Sequence, residues 1–355
     1  MQNYSSNGQN GSNGKGRLNT PKPIRYGIVG LGKMGSLHLE TMKKLAGLVE
    51  VTALSDISFK RLRNAQSQFP DAYATFDYRN LIGRVDAISI CTPTEAHSEV
   101  ATFFLKNKIP ALVEKPIATT VHEAENMYLV SHENKTHLHI GHIERFNPTM
   151  IKARELISRP IFIETVRFGP YDDRVANIGV ILDVMIHDLD LILWLLSGLD
   201  ITLESAEAQG ISILTPHEDV VKVRLKFRER NLKHLIVVDL NASRLSFEKI
   251  RKIRIFQEDS YLTINLLKKK LHQFTAKTMP PKSLDDIKVV GPKLTKSDPL
   301  CLELEHFINS IKNNRHDIHP REAWDALDLA FELMKIMEKK DIRTQPAACL
   351  ANTKT

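Results

Sequence analysis

The sequence predicts an α/β chain: a doubly wound parallel sheet at the N-terminal end, then a second α/β domain on an open, largely antiparallel sheet. Three observations predict it. Short apolar runs alternate with helically spaced segments from Ile24 to Ile140, as parallel strands joined by crossover helices do. A glycine-rich turn, Gly30-Leu31-Gly32-Lys33-Met34-Gly35, separates the first run from the first helical segment. After Pro148 longer segments alternate apolar and charged residues, the pattern of a sheet with one packed face and one wet face.

The first part reads as strands at Ile24 to Val29, Val49 to Leu54, Ala87 to Cys91, Ala111 to Glu114 and His137 to Ile140. Between them, Met34 to Leu45, Ser58 to Phe69, Ala96 to Leu105 and Val121 to Ser131 have helical spacing. Thr92-Pro93 and Lys115-Pro116 stop two of the strands. Right-handed crossovers put the strand C-terminal ends on one edge, where ligands bind. Residues 21–143 are therefore expected to form a dinucleotide-binding Rossmann domain, and 144–340 a domain for substrate binding and oligomerisation.

In the second part Leu182 to Leu196 reads as a long helix. Val221 to Phe227 puts Val221, Val223, Leu225 and Phe227 on one face and Lys222, Arg224 and Lys226 on the other. Leu235 to Leu240 and Ile250 to Phe256 also read as strands. Lys268 to Lys296 is basic, contains Pro280-Pro281 and Gly291-Pro292, and is expected as a loop. Helices at Leu300 to Asn313 and Arg321 to Lys339 follow. Residues 1–20, rich in Asn, Gly and Ser, predict a disordered tail, and 341–355 a loose one.

Composition bounds the function. With 355 residues, 42% hydrophobic and 26% charged, the chain is neither wholly disordered nor a small disulfide scaffold. Cys91, Cys301 and Cys349 are far apart and odd in number, which suggests neither a disulfide framework nor a zinc site. No signal-peptide core or membrane-length apolar run is seen, so a cytoplasmic protein without a membrane partner is expected. The net charge of +7 raises nucleic acid as a partner. Little aromatic residue accompanies the basic segments to stack bases, so no nucleic-acid partner is expected.

The glycine turn suits a dinucleotide. Gly30 permits a tight turn, Gly32 lets the backbone approach a pyrophosphate, and Gly35 allows close packing of helix on strand. Lys33 and Met34 lie at the helix N-terminus, whose N–H groups favour an anion. Asp56, at the end of the second strand and 21 residues after Gly35, suits hydrogen bonds from the adenosine ribose hydroxyls. Its charge would repel a 2′-phosphate, which favours NAD. Lys60 and Arg61 lie near enough to leave NADP open.

Catalytic candidates stand at the ligand edge. Lys115 follows a strand, and Pro116 favours an extended conformation for it. A half-buried lysine beside a cofactor loses basicity and can donate to a hydroxyl or carbonyl oxygen. A merely solvated strand-end lysine is the competing reading. Asp183 and His187 are four apart on one helix and share a face. The imidazole suits a proton acceptor, with Asp183 to orient it and Asp190 in reach. A core histidine with a salt-bridged neighbour is the alternative. His137, His139 and His142 do not form a recognisable ligand set, so no metal is expected; His142 remains a candidate for substrate contact.

Taken together, these residues resemble the Gfo/Idh/MocA family of sugar and polyol oxidoreductases. The match runs from Ile24 to Met337 through Gly30 to Gly35 with His38, Cys91-Thr92-Pro93-Thr94 with His97, Glu114-Lys115-Pro116, and Asp183-x-x-x-His187. The resemblance implies a nicotinamide cofactor held by the glycine loop, with Thr92, Pro93, His97, Glu114 and Lys115 on its side of the cleft. It implies that Lys115, Asp183 and His187 line the substrate pocket, in a fold that commonly forms homo-oligomers.

Gly141 to Pro148, Arg167 to Pro170 and Val180 to Asp188 are similar to a narrower branch acting on UDP-N-acetylglucosamine. That branch oxidises the C3 hydroxyl to a ketone, which a partner aminotransferase aminates for a diamino-sugar lipid A. It points to His142, Arg145, Asn147 and Arg167, with Asp183 and His187, as substrate-binding residues of a nucleotide-sugar dehydrogenase. Another sugar, polyol or imine as substrate, or a non-catalytic NAD-binding regulator, are the rival readings.

Overall fold

Five apolar runs and one short edge segment build a six-stranded parallel sheet of order β3-β2-β1-β4-β5-β6. Its strands are β1 (Ile24–Val29), β2 (Val49–Ser55), β3 (Tyr73–Thr75), β4 (Ala87–Ile90), β5 (Ala111–Glu114) and β6 (Leu138–Gly141). The computed structural model describes residues 22–172, 178–230, 234–276, 282–313 and 320–340; the tails expected at 1–20 and 341–355 lie outside the described residues. Every strand pair in this sheet is parallel. The order reverses between β1 and β4, and a crevice opens at such a switch point. The four crossover helices are α1 (Lys33–Lys44), α2 (Phe59–Gln68), α3 (His97–Lys106) and α4 (Val121–Asn134). Thr120 and Glu123 form a capping box that fixes where α4 starts. β3 escapes the sequence pattern because three residues on an edge carry no period.

The second sheet has eight strands in the order β14-β13-β12-β11-β7-β10-β9-β8. These are β7 (Pro160–Phe168), β8 (Ile201–Ile211), β9 (Val220–Glu229), β10 (Leu235–Ser243), β11 (Ile250–Gln257), β12 (Ser260–Asn265), β13 (Lys270–Ala276) and β14 (Ile287–Val290). Only the β7–β10 pair is parallel. Val221, Val223, Leu225 and Phe227 face the core as the alternation predicts. α5 (Pro148–Glu155), α6 (Ile186–Leu196) and α8 (Pro320–Lys340) contribute to that core.

Two expectations need correction. The segment from Lys268 to Lys296 is not simply a loop: β13 and β14 extend the sheet from it. Leu271 is buried while Lys270 and Lys288 are exposed, so the charges sit on the wet face and guard the edge. The helix expected from Leu182 starts as a π-helical turn, Ile181–Met185, and becomes regular only at α6. Glu218 caps this start. Its backbone carbonyl accepts the Val180 N–H at 3.0 Å and its Oε1 accepts the Ile181 N–H at 3.1 Å. A side chain at Gly179 would meet that carboxylate at 2.0 Å.

The last helices close the molecule. α7 (Pro299–Lys312) packs Leu300, Leu304, Phe307 and Ile308 against Tyr26, Leu39 and Met42 of the first sheet's layer. Late chain thus completes an early core. α7 also buries Glu303 completely, 3.7 Å from His139 Nε2. Burial pushes the Glu303 carboxyl well above its ordinary value of 4.5 and holds His139 well below 6.5, so the pair is neutral rather than ionic. Because folded Glu303 keeps a proton that the unfolded chain releases, its own contribution to stability is expected to fall as pH rises above 4.5, towards the raised folded value. The Tm of Glu303→Gln relative to wild type should therefore climb between pH 5 and 8 in a thermal-melt series; a pH-independent difference would contradict the buried neutral acid.

Candidate active site

The glycine loop is built by close approach. Gly30 has φ +87°, and a side chain there would lie 2.6 Å from the backbone of Cys91 and Thr92. A Cβ on Gly35 would lie 1.9 Å from the Gly30 carbonyl oxygen, whereas one on Gly32 would meet nothing within 4 Å. The loop is therefore tight beneath and open above, as a pyrophosphate requires.

Asp56 is buried and braces this loop. Its Oδ2 accepts the Leu31 N–H at 2.7 Å, and its Oδ1 accepts the Ser58 N–H at 2.7 Å and Arg61 Nε at 3.2 Å. A carboxylate has about four acceptor positions, so capacity remains for a ribose hydroxyl. The arginine that could attract a 2′-phosphate already contacts this carboxylate.

His97 ties together the loops after β4 and β5. Its ring nitrogens stand 2.9 Å from the carbonyl oxygens of Thr92 and Pro116. Burial lowers its pKa, and a neutral ring donates to one carbonyl at a time. Its place is between the loops, with both nitrogens turned to the backbone. Thr92 Oγ1 is buried and has no hydrogen-bond partner among the described residues, while Pro93 is exposed beside it. Below Lys115, Glu114 Oε1 meets His38 Nε2 at 2.8 Å, His38 Nδ1 meets Ser89 Oγ at 2.9 Å, and Ser89 Oγ meets the Tyr26 hydroxyl at 2.7 Å. This buried chain braces the end of β5. The Lys115–Pro116 bond is cis.

Past these strand ends lies a cleft of about 360 Å³ between the two sheets. Lys33, Lys115, Asp183 and His187 line it, together with Arg167, Lys249 and Arg251. Lys115 Nζ donates to the Asp183 carbonyl oxygen at 2.9 Å and stands 3.6 Å from Asp183 Oδ1. Burial lowers the lysine pKa, and Asp183 opposes that fall. His187 is held well below 6.5 by burial, with Lys115, Arg167 and Arg251 pushing the same way. It is therefore an unprotonated imidazole at neutral pH.

The cation wall comes from strand register. Arg167 on β7 is directly opposite Arg251 on β11, a like-charge pairing that is unfavourable on its own. Glu144 Oε1 accepts from Arg167 at 3.1 Å and from Arg251 at 3.0 Å. Asp188 Oδ1 accepts Arg167 Nε at 2.8 Å. Although burial works against it, these arginines hold the Glu144 carboxyl below its usual range. Sequence reasoning missed Glu144, Lys249 and Arg251: pairing of Arg251 with Arg167 spans 84 residues, and Glu144 reaches both from a separate turn.

Not every expected substrate residue reaches the cleft. His142, Arg145 and Asn147 are buried behind its wall. Arg145 Nε donates to Asp190 Oδ2 at 2.9 Å, and His142 Nδ1 lies 3.3 Å from the same oxygen. Asn147 Oδ1 caps α5 by accepting the Thr149 N–H, and its Nδ2 faces Glu144 at 3.3 Å. Burial lowers the His142 pKa to about 4. His38, Cys91 and Glu114 bring ligand-type atoms within 4.8 Å of one another, but the His38 nitrogens are already engaged by Glu114 and Ser89.

A glycine-cradled switch point facing a lysine, an imidazole and a carboxylate defines a nucleotide-cofactor oxidoreductase with a separate substrate-side sheet. The family model described as "Oxidoreductase family, NAD-binding Rossmann fold" matches residues 24–142. The chain belongs to this Gfo/Idh/MocA family. It is 31% identical over 296 residues to the UDP-N-acetylglucosamine 3-dehydrogenase of Acidithiobacillus ferrooxidans, covering 82% of this chain and 90% of that one. The myo-inositol 2-dehydrogenase of Thermotoga maritima is 27% identical over 251 residues, covering 66% and 72%. A solved structure of the Acidithiobacillus enzyme superposes with a TM-score of 0.80 at 28% identity, over 90% of this chain and 98% of that one. Levoglucosan dehydrogenase in complex with NADH and levoglucosan gives 0.78 at 15% identity, covering 90% and 98%, a likeness of fold.

The loop geometry separates two glycines. Gly35→Ala drives a methyl group into the Gly30 carbonyl and should cost roughly 1–3 kcal/mol of stability, lowering Tm and abolishing NADH binding. Gly32→Ala meets no atom within 4 Å and should leave Tm unchanged while weakening NADH binding. Thermal melts and NADH fluorescence titration check both.

Proposed function

We propose that this chain oxidises the C3 hydroxyl of UDP-N-acetylglucosamine to a ketone with NAD. One observation carries the reading: Lys115, Asp183 and His187 converge in a single cleft that Arg167, Lys249 and Arg251 also line. The proton-handling groups suit a hydroxyl, and the cations suit a diphosphate. The relative at 31% identity acts on this sugar nucleotide, which supports it over an inositol.

The open space above Gly32, the unpartnered Thr92 hydroxyl and the remaining acceptor capacity of Asp56 fit a nicotinamide dinucleotide. Asp56 disfavours a 2′-phosphate by charge, so NAD is preferred. When bound, the nicotinamide ring supplies the hydride acceptor. On the protein side, His187 Nε2 or Nδ1 removes the hydroxyl proton. Lys115 Nζ donates a hydrogen bond to the hydroxyl oxygen and stabilises the negative charge growing there. Asp183 holds the ammonium in place.

Burial, and after it the cations around His187, make proton uptake unfavourable. A diphosphate offsets those cations, so substrate binding raises the basicity of His187. The base thus becomes competent when the substrate arrives. The ketone product suits amination by a partner aminotransferase, in the setting of diamino-sugar lipid A synthesis in the cytoplasm. Homo-oligomerisation through the wet face of the second sheet belongs to the same proposal.

NADH formation at 340 nm with UDP-N-acetylglucosamine tests the activity. Lys115→Met and His187→Asn should each lower kcat by about 10²–10⁴-fold; either variant matching wild type would overturn the assignment. The acid limb of kcat/KM, which reports the free enzyme, should fall below pH 6.5, and its alkaline limb below 10.5, following the lowered pKa values of His187 and Lys115. The acid limb of kcat should lie higher than that of kcat/KM. A kcat/KM limb at or above 6.5 would contradict the role of His187.

A further inference from the structure

The turn after β10 carries the most exposed aromatic residue among the described residues and a free cation beside it. Phe247 is fully exposed, at 105%. Ser243, Arg244, Lys249 and Arg251 on either side of it all line the cleft. We infer that this turn is the nucleotide-recognition element, with Lys249 binding the substrate diphosphate and Phe247 stacking on its base. The inference rests on the reading of the substrate as a nucleotide sugar.

The turn is held in shape. Ser243 Oγ accepts the Leu245 N–H at 3.0 Å, and Ser246 Oγ donates to the Glu248 carbonyl at 2.9 Å. It is also fastened to the cleft wall. The Ser246 N–H donates to the Gly169 carbonyl at 3.1 Å, and the Gly169 N–H to the Ser243 carbonyl at 2.9 Å. Arg244 is locked at its root, with Nε donating to Asp219 Oδ1 at 2.7 Å. Phe247 is thus presented on a fixed support, on a turn whose two flanks line the cleft. An aromatic ring left wholly in water gains by being covered, and a base offers a flat surface of matching chemistry.

Charge accounting selects Lys249. Among the cleft cations, Lys115 contacts Asp183, Arg244 contacts Asp219, and Arg167 and Arg251 share Glu144. Lys33 and Lys249 have no carboxylate partner among the described residues. Lys33 starts α1, on the cofactor side, which leaves Lys249 as the uncommitted cation on the substrate side. A diphosphate held by Lys249 would sit two residues along the turn from Phe247, as diphosphate and base adjoin in a nucleotide sugar.

Free UDP is the probe, measured by calorimetry and as an inhibitor competing with UDP-N-acetylglucosamine. Phe247→Ala and Lys249→Met should each raise the Kd for UDP on the order of tenfold or more, with the kinetic loss falling on KM. The Kd for NADH should not change. Phe247→Trp should restore UDP affinity, and its fluorescence should be quenched by UDP. If wild type turns over UDP-N-acetylglucosamine and both variants bind UDP as wild type does, this inference is wrong and the proposed function stands. If wild type neither binds UDP nor oxidises its sugar conjugate, the proposed function fails and takes the inference with it. A change of oligomeric state in Phe247→Ala by light scattering, with UDP affinity intact, would assign the ring to a subunit contact and overturn its role in base stacking.

Discussion

The contact between Lys115 Nζ and Asp183 links the two halves of the site. One partner ends a strand of the parallel sheet, and the other sits in the π-helical turn beside the second sheet. Burial lowers the Lys115 pKa while Asp183 opposes that fall, and Asp183 sits in the π-helical turn whose first N–H groups Glu218 accepts. Such widened turns recur at functional sites, and in this chain the turn begins just past Gly179, whose bare backbone leaves room for the Glu218 carboxylate.

A second constraint follows from placing so much positive charge in one cleft. Arg167 and Arg251 face each other across a strand pair, and Glu144 with Asp188 makes that arrangement tenable. Removing an acid from such a buried set would leave a charge uncompensated. The acids are mostly spent behind the wall, so the cleft presents a positive face. Burial first, and then that face, keep His187 unprotonated. In the proposed function, anion binding and basicity are coupled through the same cations.

Much of this was legible in the sequence where the chemistry is local. Gly30, Gly32 and Gly35 sit six residues end to end, and Lys115 directly follows its strand. The four-residue spacing of Asp183 and His187 placed both on the cleft even though the turn between them is not α-helical. What could not be read depends on distant chain. Asp190 engages Arg145 and His142 from 45 and 48 residues away, turning expected substrate contacts into a supporting layer. Arg251 lies in a segment legible only as a strand, and its register with Arg167 is what puts it on the cleft. His97 was expected on the cofactor, and only the paths of two separate loops reveal that both its nitrogens face backbone carbonyls.

The most direct test of the central contact is a double-mutant cycle on kcat/KM with Lys115→Met and Asp183→Asn, measured with UDP-N-acetylglucosamine and NAD. If the ammonium and the carboxylate act as a unit, the double variant should be hardly worse than the poorer single variant, because removing either group already disables the pair. Losses that simply multiply would show the two residues acting independently, and would contradict a cleft whose chemistry depends on their contact.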